Sequence, residues 1–192
     1  MELKDFKKEF DKYLLEFIEN KISSLLPHQN KEIAEIFKHL YKICGEGKRI
    51  RPYLAYLAYK SSGGKDEKET LKLFTFIEIF HAFCLVHDDI MDKADIRHGV
   101  ETINSRFGDS QAILIGDLLL SWSFDILLTN QSLPNKNIEE VKKIFFEMIN
   151  EVCLGQMLDV NIGVEKTVTN EEINRKIFFA GYPITPSSEI LR

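Results

Sequence analysis

Between Phe74 and Asp92 the chain is apolar nearly all round, and against that background polar residues recur at helical spacing: Glu78, His81, Asp88, Asp92 and, beyond them, Asp95. At about 100° per residue, all four carboxylates fall within about 60° of His81 on one line, provided the helix reaches Asp95. Anions on a helix otherwise fit for a core are costly to desolvate unless something positive meets them. A hard cation is the simplest partner. Asp88 and Asp92, one turn apart, offer oxygens at a spacing that suits Mg²⁺, which keeps its remaining positions for water and phosphate oxygens. The plain alternative is that Asp88, Asp89 and Asp92 lie at an exposed helix end and only solubilise it. For His81 the plain reading is a hydrogen-bonded core histidine, and His87, about 100° from Asp88, reads as structural.

A second constellation is Gly45-Glu-Gly-Lys-Arg-Ile-Arg-Pro52, with three cations in four residues after flexible glycines. Lys48, Arg49 and Arg51 at a helix start suit an anion, because backbone N–H groups, the helix dipole and the side chains all favour negative charge. Taken by itself the cluster is equally a basic surface turn. Taken with the aspartates it suggests two phosphate grips, one direct and one through metal. That division fits a reaction between two phosphorylated substrates, only one of which needs its phosphate activated as a leaving group. A third patch, Asp95 to Gly99, could bring Arg97 and His98 back over the metal site.

The positioning elements read as helices. Phe6, Phe10, Tyr13, Leu14, Phe17, Ile18 and Ile22 give an amphipathic helix ending before Pro27. Asn30 can cap a helix over 31–44, and Arg51 to Tyr59 forms another with Pro52 in its first turn. A long helix follows from Asp66 to Met91 or beyond, 96–108 is irregular, and helices cover 109–129, 137–162 and 170–180. No alternating run flanked by hairpin turns is evident, so the class is all-α. Thirty acidic against 25 basic residues is the wrong balance for a phosphate backbone, which argues against nucleic acid as a partner. Cys44, Cys84 and Cys153 lie far apart without a paired spacing, which fits a reducing cytoplasm. Glu78, His81, Asp117 and Asp125 interrupt the apolar stretches, so neither a membrane span nor an export signal is expected.

At these residues the sequence resembles the trans-isoprenyl diphosphate synthases, the farnesyl and geranylgeranyl diphosphate synthase family. The matching stretches are Gly47 to Pro52, Ile79-Phe-His81, Asp88-Asp-Ile-Met-Asp92, Arg97-His-Gly99, Gly116-Asp117 and Gly155-Gln-Met-Leu-Asp159, in the family's order over about residues 40–160. The resemblance implies the helical-bundle isoprenoid synthase fold, in its N-terminal part only. It implies one incomplete domain over 1–180, with 181–192 an irregular tail. It implies prenyl transfer from an allylic prenyl diphosphate to isopentenyl diphosphate with Mg²⁺ as cofactor, and a homodimer is expected. By the same resemblance Lys48, Arg51 and His81 hold the isopentenyl diphosphate, Asp88 and Asp92 bind the metal, and Arg97 touches the allylic diphosphate. Gln156 and Asp159 would line the metal side.

Two departures stand out. His98 replaces a second arginine of the family, which makes that contact to isopentenyl diphosphate weaker or pH-dependent. The family's Lys-Thr motif and second aspartate-rich motif do not follow Phe179. Phe83 and Cys84 stand where the family sets product length. With the small Cys84 leaving room, a C15–C20 product is expected, C20 ahead of C15. Two alternatives remain: a non-catalytic fragment or partner subunit that binds diphosphate or dimerises, and an HD-type metal phosphohydrolase using His87 and Asp88. A class I terpene cyclase would share the aspartates without needing the isopentenyl grip.

Overall fold

In a computed structural model the described residues are 1–25, 30–129 and 135–164. They fall in two compact units, Met1–Ser132 and Leu133–Arg192. The expected helix over 170–180 and the tail over 181–192 lie outside the described residues.

The first unit contains α1 (Leu3–Leu25), α2 (Lys31–Gly45), α3 (Ile50–Ser61), α4 (Glu67–Met91), a two-stranded ladder of β1 (Ile96–Arg97) and β2 (Val100–Glu101), α5 (Ile103–Phe107) and α6 (Asp109–Thr129). Capping explains several starts. Asn30 accepts from the N–H groups of Glu32 and Ile33 at 3.0 and 3.2 Å, and Asp66 accepts from Glu69 N–H at 3.2 Å. The apolar stripe of α1 buries Phe6, Phe10, Leu14 and Ile18 as its spacing predicts. Phe6 packs on Tyr53 and Tyr56 of α3, while Phe17 and Phe37 both meet Trp122 of α6.

The central pair is α4 on α6. Gly116 lets them close up, for a Cβ there would overlap the ring of His87. His87 thus serves packing, stacked edge-on against Phe83 with ring centroids 4.8 Å apart. Its Nε2 lies 3.3 Å from the Ile113 carbonyl. Both α4 and α6 are long and apolar enough to cross a bilayer, so their few charged residues do not disqualify them on composition as expected above. Most of the apolar window of α4, however, is buried inside the protein.

Two expectations are corrected. The segment 96–108 is not irregular: Ile96 pairs with Glu101 and Arg97 with Val100, antiparallel, and α5 follows. The two residues between them, His98 at φ 52° and Gly99 at φ 77°, both have positive φ, as a tight hairpin turn matching strand twist requires. Strands two residues long leave no alternation to read. Nor does α4 reach Asp95. Lys93 sits at φ 53°, its N–H reaches the Ile90 carbonyl and that of Ala94 the Asp89 carbonyl at 2.9 Å. That pattern ends a helix and reverses the chain. Asp95 therefore leaves the carboxylate line.

In the second unit the described element is α7 (Asn135–Val164), close to the expected 137–162. Ile138 and Phe145 are buried on it, while Ile144, Phe146, Leu154 and Met157 are exposed.

Candidate active site

The loop from Gly45 to Arg49 and the start of α3 form one wall of a cavity of about 460 Å³. Gly47 at φ 114° and Arg49 at φ 57° turn the backbone there, and Pro52 in the first turn of α3 needs no hydrogen-bond partner for its nitrogen. Lys48 and Arg51 line the cavity from this wall, His81 and Glu78 from α4, and Arg97 and His98 from the hairpin. Five expected substrate-binding residues from separate segments are thus brought together.

Burial changes what some of them can do. Arg51 Nη1 lies 3.1 Å from His81 Nε2. Burial first, then the charges of Arg51, Arg97, His98 and Arg49, push the His81 pKa down to about 3, so the ring is neutral at pH 7. Arginine only donates, so Nε2 accepts and the proton sits on Nδ1. That Nδ1 is buried with no hydrogen-bond partner among the described residues. Burial also lowers the Arg51 pKa, although Glu78 works against it; the guanidinium stays charged.

Two carboxylates of this region have partners other than a metal. Glu78, counted above in the line awaiting a cation, meets Arg49 Nη1 at 2.8 Å. Asp89, not singled out by spacing, is buried and accepts from Arg97 Nε at 2.7 Å. Burial raises the Asp89 pKa, and the hydrogen bond and charge of Arg97 oppose that rise. Asparagine 104 adds Nδ2–H bonds to the Asp89 and Ala94 carbonyls at 3.3 Å each, and Thr102 binds the Ala94 carbonyl at 2.7 Å. Arg97 and His98, expected to return over the metal site, line the cationic cavity, with Arg97 held by Asp89. Arg49, expected to be one of three anion-binding cations, is instead 1% exposed and donates four hydrogen bonds to protein acceptors.

Asp88 is half-buried near the C-terminal end of α4 and Asp92, its cap, is exposed. Neither lines the cationic cavity. Two carboxylates one turn apart fit Mg²⁺, which takes one or two such oxygens and otherwise keeps water or phosphate. Among the described residues no group of three His, Cys, Asp or Glu side chains forms a cage for a metal.

A family model for polyprenyl synthetase matches residues 30–179. The chain belongs to the polyprenyl synthetase family. It is 33% identical over 178 residues to a short chain isoprenyl diphosphate synthase of Methanothermobacter thermautotrophicus, covering 93% of this chain and 52% of that protein. To a geranylgeranyl diphosphate synthase of Methanosarcina mazei it is 35% identical over 152 residues, covering 79% and 46%. The solved geranylgeranyl pyrophosphate synthetase of Pyrococcus horikoshii superposes with a TM-score of 0.75 at 30% identity, over 91% of this chain and 50% of that one. The chain thus has the helical fold of polyprenyl synthetases and spans about half the length of the curated relatives it matches.

The remaining family positions lie as follows. Gln156 is half-buried and Asp159 exposed, one turn apart on α7 in the second unit. Phe83 and Cys84 are both buried, and neither lines the cationic cavity. Phe83 packs against Phe80 and His87, on the side of α4 that meets α6.

Proposed function

We propose that this chain serves prenyl transfer, condensing isopentenyl diphosphate with an allylic prenyl diphosphate. The observation that carries the reading is the meeting of Lys48, Arg51, His81, Arg97 and His98 around one cavity. Lys48 and Arg51 supply charge to the isopentenyl diphosphate, and neutral His81, with its Nε2 3.1 Å from Arg51 Nη1, belongs to the same grip and directs that guanidinium. Arg97, its Nε fixed on Asp89, extends its other nitrogens as a contact for the allylic diphosphate. Asp88 and Asp92 would hold Mg²⁺, which when bound supplies charge neutralisation for the departing diphosphate. Gln156 and Asp159 carry the metal-side role that the resemblance implies. Apolar side chains of the helical core exclude the water that would quench an allylic cation.

The finer assignments belong to the same reading: a single synthase domain, a C15–C20 product with Phe83 and Cys84 near the floor, a homodimer and a cytoplasmic location. Naming of relatives as geranylgeranyl synthases supports C20. The test is mass-spectrometric product analysis with isopentenyl diphosphate and each allylic diphosphate, with and without Mg²⁺, beside calorimetry of the substrates. Metal-dependent binding lost in Asp92→Asn but kept in His87→Ala supports the reading; the reverse ranking favours a phosphohydrolase. Isopentenyl diphosphate binding without any product, in the 192-residue chain and in a chain of relative length alike, favours a binding subunit.

A further inference from the structure

The basic turn carries three cations, and the middle one points away from the role its neighbours share. Arg49 donates from Nε to Asp11 on α1 at 2.6 Å, from Nη1 to the Glu46 carbonyl at 2.6 Å and to Glu78 on α4 at 2.8 Å, and from Nη2 to the Cys44 carbonyl at 2.7 Å. One guanidinium thereby joins α1, the end of α2 and α4. Its own backbone is in the left-handed region, which side chains other than glycine adopt only when held there. Gly47 conforms to it, since a Cβ at that position would come within 3.0 Å of Arg49 Nη1 and 3.5 Å of Glu78 Oε1.

Glu78 is the reason this matters for binding. It lines the same cavity as Lys48 and Arg51 and sits one turn before His81, the residue that Arg51 contacts. A carboxylate so placed competes with any anion for those cations unless another cation claims it. We propose that Arg49 is a positioning residue for the anion grip, claiming the Glu78 carboxylate in an ion pair of its own and fixing the turn that presents Lys48 and Arg51. This rests on the reading of the cavity as a diphosphate site. Arg49 touches no substrate; it acts through Glu78 and the turn.

The experiment is calorimetric titration of inorganic diphosphate into the 192-residue chain without Mg²⁺, with thermal melting recorded beside it. Lysine offers one compact charge in place of a planar fork and cannot hold four acceptors in this geometry. Arg49→Lys is expected to weaken diphosphate binding by about tenfold, the scale of a charged hydrogen bond. Adding Glu78→Gln to Arg49→Lys is expected to restore affinity to within about threefold of the parent, because the competing charge is gone. A merely structural role would leave affinity unmoved while the melting temperature falls, or would leave the double variant weaker than the single one. Either result overturns the proposal. If Arg49→Lys fails to fold, the Arg49→Lys, Glu78→Gln double variant decides: diphosphate affinity within about threefold of the parent agrees, and a loss of about tenfold or more contradicts. Failure of the parent itself to bind diphosphate overturns the site reading, and is distinguished by appearing before any substitution.

Discussion

His81 illustrates how burial reassigns a side chain. Spacing placed it among carboxylates beside a metal, and the fold places it among cations with its ring neutral. Its folded pKa of about 3 lies below the ordinary 6.5, so the unfolded chain takes up a proton first as pH falls. Stability from this group is full above pH 6.5 and is lost as pH falls toward 3, by about 1.4 kcal/mol per pH unit at most. Asp89, raised by burial, contributes in the opposite sense, so the comparison must be between variants. Urea unfolding at pH 7 and pH 5 is expected to show His81→Gln losing about 1 to 2 kcal/mol less than the parent over that interval. At the same scale, Asp89→Asn removes the charge that anchors Arg97 Nε, and calorimetry with an allylic diphosphate is expected to read a loss of about tenfold. Lys48, Arg51, His81, Arg97 and His98 were legible because each stands in a short contiguous motif, Gly47 to Pro52, Ile79 to His81 or Arg97 to Gly99, that carries the resemblance. Arg49 and Asp89 were not, because their meaning lies in partners: Asp11 is 38 positions from Arg49, and no local pattern announces it.

Helices were legible because their apolar stripes and caps are local. The bounds of α2 and α6 and the start of α4 fall within a residue of those that Asn30, Asp66 and the apolar runs imply. The stop at Met91 was hidden, since a lysine in the left-handed region offers no composition signal of the kind glycine does. The hairpin was hidden for the related reason that two-residue strands have no period. Packing of α4 on α6 yields a prediction whose sign runs against propensity. Gly to Ala within an exposed helix gains up to about 1 kcal/mol, but Gly116→Ala puts a methyl into the His87 ring. It is expected to destabilise by about 1 to 3 kcal/mol, read as an earlier midpoint in urea, and His87→Ala in the same chain is expected to recover part of the loss. A stabilised Gly116→Ala chain would mean that α4 and α6 are not seated on each other in this way.

For the molecule as a whole, the described residues of the first unit carry the cationic cavity, and Asp88 and Asp92 stand outside it. The chain spans about half of its relatives' length. The 192-residue polypeptide, whose sequence carries one aspartate-rich motif at Asp88 to Asp92, is expected to turn over far below about 1 s⁻¹; a chain of relative length is expected to be the faster. On the proposed reading the two diphosphates are gripped by different means, one by side-chain cations and one through metal. The most direct measurement is calorimetry of isopentenyl diphosphate and of an allylic diphosphate, each with Mg²⁺ and with chelator, on the parent and on Asp92→Asn. Isopentenyl diphosphate is predicted to bind equally with chelator and in Asp92→Asn, and to weaken by about tenfold in Lys48→Ala, while the allylic diphosphate loses its Mg²⁺-dependent binding in Asp92→Asn. Equal loss of both ligands with chelator, or binding of isopentenyl diphosphate indifferent to Lys48, would contradict it.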